Sequence, residues 1–227
     1  MGLTSIIIPV LNEESIIEDS LSKFVGNSMV EVIVVDGGST DKTVNLVSDM
    51  GFIVIKSPVS GRANQMNFGV KFAQGDVLLF LHADSNLPES YHDLILNILA
   101  QADVIAGAFE LGIDGEDIKF RVIEWLVNWR SHLFSLPYGD QGIFLKKTIF
   151  QELGGFPDLP IMEDFEFIRQ VKKRGKIAII SAKIITSARR WQKIGIIKTT
   201  LINQLIIIGY FLKIPPQKLQ KFYQQNK

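Results

Sequence analysis

Two short β-branched runs each break into a polar, carboxylate-bearing turn. They are Ser5-Ile6-Ile7-Ile8-Pro9-Val10-Leu11-Asn12-Glu13-Glu14 and Val32-Ile33-Val34-Val35-Asp36-Gly37-Gly38-Ser39-Thr40-Asp41. A helix-like pattern follows each, and strand, turn and helix repeated in this order argue for parallel βαβ units. In an open α/β sheet, ligands sit beyond the carboxyl ends of the strands, where neighbouring crossovers part. Two such turns side by side describe the edge of a pocket. Asp36 and Asp41 can accept bonds there from a ring N–H or from ribose hydroxyls. The competing role for Asn12, Asp36 and Thr40 is to cap the helices that follow.

A length of 227 residues allows one domain, or one with a modest extension. The expected division is a domain over 1–190, with a nucleotide-binding half to about 110 and an acceptor and catalytic half from 111. A helical extension over 191–227 would pack on that domain, on a sister subunit in a homodimer, or on a membrane. With 24 Lys+Arg against 24 Asp+Glu, no global field recruits nucleic acid. The absence of cysteine excludes disulfides and thiolate metal sites and fits a cytosolic protein. The N-terminus lacks the basic region of a signal peptide. The most apolar stretch, 194–214, is interrupted by Lys198, Asn203, Gln204 and Lys213, short of the roughly 18 clean apolar residues of a spanning helix. A cytoplasmic location is expected, free or peripheral on the cytoplasmic face of a membrane.

Strands are predicted near 4–10, 30–35, 52–56, 76–82 and 103–110, and helices near 14–25, 40–49, 62–74 and 88–100. Beyond 110 an aromatic helix over 120–134 carries Trp125 and Trp129, which join the core or line an acceptor groove. Tyr138-Gly139-Asp140-Gln141-Gly142 turns into a short strand. A Gly-Gly turn at 154–155 precedes an acidic helix start at Glu163-Asp164, and two apolar runs, 176–180 and 183–187, lead to Arg189-Arg190-Trp191. The tail over 192–214 is helical by period, with Thr199, Asn203, Tyr210 and Lys213 as a narrow polar stripe.

The fourth strand ends in His82-Ala83-Asp84. Alternation along an extended backbone lets His82 and Asp84 address one point. A carboxylate there can hold Mg2+ or Mn2+ while water and diphosphate oxygens fill the other positions, and an imidazole would favour Mn2+. Gly61-Arg62-Ala63-Asn64-Gln65-Met66-Asn67 opens a helix with one cation, a combination suited to phosphate. Gln65 and Asn67 serve equally well as packing amides. At Glu163-Asp164 a carboxylate at a helix start can act as a general base for an acceptor hydroxyl or simply complement the helix dipole.

The segments 5–14, 34–41, 61–69, 82–84, 154–156 and 163–164 stand in an order that resembles family 2 inverting glycosyltransferases of the GT-A fold, a mostly parallel Rossmann-like α/β sheet flanked by helices. The chain also looks like a short, single-domain bacterial branch whose members are labelled as acting on lipid or carotenoid-type acceptors. The resemblance implies that Pro9, Leu11 and Asn12 border the base and that Asp36 reads a uracil-type edge. Asp41 and Arg62 place the nucleotide, Asp84 holds a divalent cation, Gly154-Gly155-Phe156 lies near the acceptor, and Asp164 is the catalytic base. Glu14, Gly38, Gln65, His82 and Ala83 complete the expected nucleotide-facing set, with His82 a second metal ligand. Gly139, Asp140, Gln141, Gly155, Arg190 and Trp191 form the expected sugar and acceptor set, and Glu163 orients Asp164. Three departures stand out. The metal motif has His82 where an aspartate is usual, Gly37 follows Asp36 in place of a second aspartate, and Ser187 replaces the glutamine of the Gln-x-x-Arg-Trp element of processive synthases.

The function implied is transfer of a sugar from a nucleotide-diphosphate donor, expected to be a UDP-sugar, to a hydroxyl or carboxyl of a small or lipid-like acceptor. A nucleotidyltransferase is the enzyme alternative, but its glycine-rich phosphate loop is missing after the first strand. Gly37-Gly38 is not a dinucleotide loop either. The non-enzyme alternative is a membrane-surface protein using the apolar 194–214 helix with Lys193, Lys198 and Lys213. Packing of that helix on the domain or a partner subunit is the first expectation.

Overall fold

The computed structural model describes residues 2–226. In chain order its elements are β1 (Thr4–Val10), α1 (Ile17–Ser22), β2 (Val30–Asp36), α2 (Thr43–Asp49), β3 (Ile53–Lys56), α3 (Arg62–Val70), β4 (Val77–Phe80), β5 (Ser85–Asn86) and α4 (Tyr91–Leu99). There follow β6 (Val104–Asp114), α5 (Ile118–Phe134), a 3-10 turn (Gly139–Gln141), β7 (Ile143–Lys146), α6 (Lys147–Leu153), α7 (Glu163–Lys172), β8 (Lys176–Ser187), α8 (Arg189–Ile194), α9 (Ile196–Phe211) and α10 (Pro216–Gln225).

The strands form one sheet in the order β3-β2-β1-β4-β7-β6-β8-β5. β3, β2, β1 and β4 run parallel, so their carboxyl ends share one edge. β7 is antiparallel to both β4 and β6, and β6 and β8 are again parallel. The sheet is therefore mixed, and its parallel order stops at β4. Ile6, Ile7 and Ile8 are all fully buried, as expected for a strand covered on both faces. Ile6, Ile8 and Leu79 pack with Ile17, Val47 and Ile95 on one side of the sheet. Ile7, Val35 and Leu78 pack with Met66, Phe150 and Phe167 on the other.

The differences from expectation have local causes. The strand expected over 76–82 ends at Phe80, because the Ser85 N–H donates to the His82 carbonyl and closes a turn. The apolar runs 176–180 and 183–187 are one strand, with an irregularity opposite Phe109/Glu110. Gly195, at φ 98°, splits the expected helical extension into α8 and α9, and Pro216 in the first turn opens a third helix, α10. The sidedness of α9 also departs from expectation: Thr199 is fully buried, Ile202 and Ile206 are buried, Asn203 and Tyr210 are half-buried, and Ile197, Leu201, Leu205 and Ile208 are exposed. Tyr210 points inward because its hydroxyl donates to the Glu166 carboxylate. Trp125 and Trp129 are exposed as well, against the expectation that at least one joins the core.

One buried amide locks the parallel edge. Gln65, on α3, donates through Nε2 to the Val10 carbonyl at 2.9 Å and the Val35 carbonyl at 2.8 Å, joining the last turns of β1 and β2. Its amide also fills the space that a Cβ at Gly37 would need, 2.9 Å away. We predict that Gln65→Leu, which removes both bonds and leaves the Val10 carbonyl only its bond from Gly37 N–H, lowers stability by about 1–3 kcal/mol. Urea unfolding followed by circular dichroism measures this; an unchanged midpoint would refute it.

Candidate active site

At the carboxyl edge the loops after β1 and β2 are stitched together. Asn12 N–H donates to Ser39 Oγ at 2.9 Å, and Thr40 N–H to Asn12 Oδ1 at 2.8 Å. Glu14 N–H donates to Asp41 Oδ2 at 3.1 Å, and Lys42 N–H to Glu14 Oε2 at 3.0 Å. Asn12 adopts φ 56°, a left-handed conformation that asparagine tolerates. Asp36 is buried at 3% exposure and accepts from Gly38 N–H at 3.1 Å and Ser39 N–H at 2.9 Å. The side chains of Asn12, Glu14, Asp36 and Asp41 thus shape these loops, and the exposed Leu11, Asn12 and Gly38 form their outer surface.

The His82–Asp84 segment lies at the end of β4, the next parallel strand. The turn bond noted above and a 3.0 Å bond from Ser187 N–H to the Asp84 carbonyl fix it. Because this is a turn, strand alternation does not govern its side chains, and His82 and Asp84 meet different neighbours. Asp84 Oδ2 lies 3.9 Å from Arg189 Nη2, which also reaches Glu13 Oε2 at 3.1 Å. His82 Nε2 faces the 3-10 turn, where a Cβ on Gly139 would approach it to 3.2 Å. Burial, reinforced by Arg62, pushes the His82 pKa down to about 3, so its imidazole stays neutral and keeps a lone pair to donate. Among the described residues no group of three His, Cys, Asp or Glu side chains comes together as a metal cage. A carboxylate and a neutral imidazole still fit a cation whose other positions go to phosphate oxygens and water.

Opposite stand the carboxyls of α7 and the 3-10 turn. Met162, left-handed at φ 65°, swings the chain so that α7 begins with Glu163 and Asp164. Asp164 Oδ2 accepts from Gly139 N–H at 2.7 Å, and Oδ1 from Phe165 N–H at 2.7 Å. Gly139 fits closely here: a Cβ would sit 3.0 Å from Asp164 Oδ2 and would push that carboxylate aside by a few tenths of an ångström. Glu163 is buried and lies 3.8 Å from Arg62 Nη1. Burial and the Asp164 charge, opposed by Arg62, push the Glu163 pKa up to about 7. Burial, opposed by Arg130 and reinforced by Asp164, pushes Asp140 up to about 6. Asp140 Oδ1 is buried and has no hydrogen-bond partner among the described residues.

Arg62 connects the two sides. Its charge is held against burial by Glu163 and Asp164, with Asp84 also within electrostatic reach. Arg190 stacks on Tyr223 at 4.3 Å and donates to its hydroxyl, while its Nε and Nη2 are buried without a partner. Burial, opposed by Tyr223 and reinforced by Arg62, lowers the Arg190 pKa. Guanidinium donors left unpaired next to a second arginine are a demand for an anion.

Other expected site residues have structural occupations. Gln141 is fully buried, donates to the Phe109 carbonyl at 2.9 Å, and accepts from Ser131 Oγ at 2.9 Å and Tyr138 N–H at 3.1 Å. Full burial and these bonds commit its amide to the interior. Gln65 is the strand lock described above. Trp191 packs edge-on against Phe120 at 6.1 Å in a cluster with α5, away from a position closing over a sugar. Gly155, at φ 81°, lets Phe156 exchange two bonds with Asn67, at 2.9 and 2.8 Å. This turn therefore docks on α3, and Asn67 is a packing amide. Sequence reasoning missed Arg189 as a partner of Asp84 and Tyr223 as the seat of Arg190. The tandem Arg189-Arg190 was the visible signal for the first; nothing in the sequence flagged the second.

Residues 5–155, more than half of the chain, match the family model described as Glycosyl transferase family 2. The probable glycosyltransferase YdaM of Bacillus subtilis is 25% identical over 198 residues, covering 75% of this chain and 47% of that protein. The mannosyltransferase PcManGT from Pyrobaculum calidifontis, solved with GDP-Man and Mn2+, aligns at TM-score 0.65 and 22% identity, over 81% of this chain and 56% of that one. S. aureus TarS 1–349, solved with UDP-GlcNAc, aligns at TM-score 0.65 and 18% identity, over 81% and 58%. The chain thus spans about half the length of these relatives, and the structural likeness establishes a GT-A fold. The ordered motifs, the mixed sheet and the family match agree, and the chain belongs to glycosyl transferase family 2.

Proposed function

We propose that the chain transfers a sugar, with inversion, from a nucleotide-diphosphate donor, a UDP-sugar by preference, to a hydroxyl or carboxyl of a small or lipid-like acceptor. The observation that carries this reading is the position of Arg62 among Asp84, Glu163 and Asp164, carboxylates from distant stretches of chain. The unpaired donors of Arg190, whose charge is felt by Arg62, supply an anion site beside them. The GDP-Man and UDP-GlcNAc held by PcManGT and TarS are donors of this class.

In this reading the β1 and β2 loops take the base, and Arg62 and Arg190 take the diphosphate. Asp84 and His82 would hold a divalent cation, which would neutralise charge on the departing nucleotide diphosphate. Asp164, fixed by Gly139 N–H and Phe165 N–H, accepts the acceptor proton. The acceptor oxygen forms a bond to the anomeric carbon from the opposite face, and the bond from that carbon to the phosphate oxygen breaks. With its pKa raised to about 7, Glu163 is partly protonated near neutrality, which limits the negative charge around Asp164 before the acceptor arrives.

Three outcomes are expected. Asp164→Asn should reduce nucleotide release from a donor–acceptor pair at least 100-fold while binding UDP almost as the parent does; parental turnover would refute the base assignment. Asp84→Ala should weaken Mn2+-dependent UDP binding in calorimetry, and equal affinity with and without Mn2+ in both proteins would count against its role. The third concerns pH. Glu163 and Asp140 hold protons to higher pH folded than unfolded, so their stabilising contribution is complete below about pH 4 and lost as pH rises through about 6 to 7. Glu163→Gln should flatten the decline in melting temperature between these limits, and a curve parallel to the parent's would contradict it.

A further inference from the structure

The outer surface of the C-terminal half carries two apolar stripes of the same length and spacing. On α5, Ile118, Val122, Trp125, Trp129 and Leu133 are exposed, with Trp125 at 64% and Trp129 at 53%. On α9, Ile197, Leu201, Leu205 and Ile208 are exposed and Leu212 follows at 70%. These intervals put each set on one side of its helix. The two helices share contacts at both ends. Phe120, Ile123 and Val127 cluster with Trp191 and Ile196, and Leu136, just past α5, clusters with Phe165, Ile206 and Tyr210. Lys172 Nζ donates to the Phe134 carbonyl at 2.5 Å, tying the end of α5 to α7. Each helix therefore presents an apolar stripe to solvent, and shared clusters at their ends connect the two, which is more than the scattered exposed leucines of an ordinary monomer.

Charge identifies what covers it. The net charge of zero conceals an uneven distribution: all 24 Asp and Glu lie in residues 1–166 beside 10 Lys and Arg, and from Phe167 onward the chain has 14 Lys and Arg and no Asp or Glu. Lys193, Lys198, Lys213, Lys218 and Lys221 are exposed on or beside α8, α9 and α10. The carboxylates Asp114, Glu116 and Asp117 precede α5, and Glu124 on its inner side is buried against Arg121 and Lys183. Between the C-terminal ends of α5 and α9 lies a recess of about 440 Å³, with Leu136, Phe165 and Phe211 in its lining and Arg169, Lys172 and Lys173 beside them. Apolar stripes bordered by lysines match a lipid interface with anionic headgroups. A second copy would bring the same positive surface against itself. No helix among the described residues is long and apolar enough to cross a membrane, so the mode is lying on the surface.

We propose that the chain docks on anionic membrane surfaces through the outer faces of α5 and α9, with the flanking lysines on the headgroups. If the transferase reading also holds, Asp164, adjacent to the recess residue Phe165, faces an amphiphilic acceptor drawn from that surface.

The test uses the full chain and vesicles that contain no acceptor, so its outcome is separate from that of the transferase assay. Flotation with equal parts phosphatidylcholine and phosphatidylglycerol should carry most of the protein at low salt. Binding should fall at least five-fold with phosphatidylcholine alone or at about 0.5 M salt, beyond the reach of surface attraction. Tryptophan emission should shift to the blue on binding as Trp125 and Trp129 enter the interface. Trp125→Glu/Leu205→Glu should abolish flotation with an unchanged melting curve. Should that variant not fold, Lys198→Gln/Lys213→Gln/Lys218→Gln should weaken it several-fold. The proposal is overturned by absence of flotation with anionic vesicles, or by undiminished flotation of the folded glutamate variant or of the glutamine variant. A dimer in sedimentation velocity that the glutamate substitutions disperse would also overturn it, by naming the second copy as the occupant.

Discussion

The hydrogen bond from Gly139 N–H to Asp164 Oδ2, 2.7 Å long, is the contact that closes this structure around its chemistry. It joins two segments that have no strand pairing with each other. One is the turn anchored by Gln141 to β6 and α5, and the other is the start of α7. The bond has a residue without Cβ on one side and a left-handed residue, Met162, just before the other. His82 Nε2 lies against the same glycine, so β4, the 3-10 turn and α7 meet there. An orphan N–H and a carboxylate satisfy one another, and the carboxylate is thereby held in one orientation. A Cβ at Gly139 would crowd Asp164 Oδ2 at 3.0 Å and His82 Nε2 at 3.2 Å, loosening the meeting of these elements.

The parallel half of the fold was legible because its determinants are local. β1, β2 and β4 are apolar runs with turn chemistry at their ends, and burial on both faces follows from their unbroken apolar character, while β3 is the partly exposed edge strand. The β7–β6–β8 half was less legible, because an antiparallel insertion between two parallel blocks is set by packing across the sheet. His82 shows the limit sharply. Its strand-like neighbours promised alternation with Asp84, but a single turn bond to Ser85 N–H cancels the alternation. Amides and carboxylates at loop starts are ambiguous for a different reason. Asn12, Glu14, Asp41 and Gln65 carry groups suited to a nucleotide and equally suited to a neighbouring loop 27 to 55 residues away, and only the folded chain shows which partner is in reach. Arg62, Asp84 and Asp164 carried local alternatives of the same kind, a helix start or a cap, and only the order of the motifs, through the family resemblance, singled them out.

The tail illustrates the opposite failure. A polar stripe on an apolar helix is normally taken as the wet side, yet in α9 Thr199 is fully buried and Tyr210 turns inward to Glu166. Glu166 gives Tyr210 a partner on the inner side, while Thr199 Oγ1 is buried without one among the described residues. Ile202 and Ile206 are buried on that inner side as well, and Ile197, Leu201, Leu205 and Ile208 face outward, so α9 carries apolar residues on both sides. Amphipathic period predicts that a helix has two sides; it does not say which side the rest of the protein can accept.

Segregated charge connects this outer surface to the site. The acidic side chains all lie by Glu166, and the basic excess follows it. The boundary falls at α7, where Glu163 and Asp164 face Arg62 and where Arg189 and Arg190 arrive from the basic side to meet Asp84 and Tyr223. Opposed fields meeting at one place strengthen each ionic contact there and keep unlike groups from neutralising elsewhere. In the proposed reading the arginines at that boundary would draw an anionic donor, while Lys193, Lys198 and Lys213 beyond it are exposed on or beside α8 and α9. The same distribution that gives a net charge of zero would then provide the two separate attractions proposed above, one for a phosphate inside the cleft and one for a negative surface outside it.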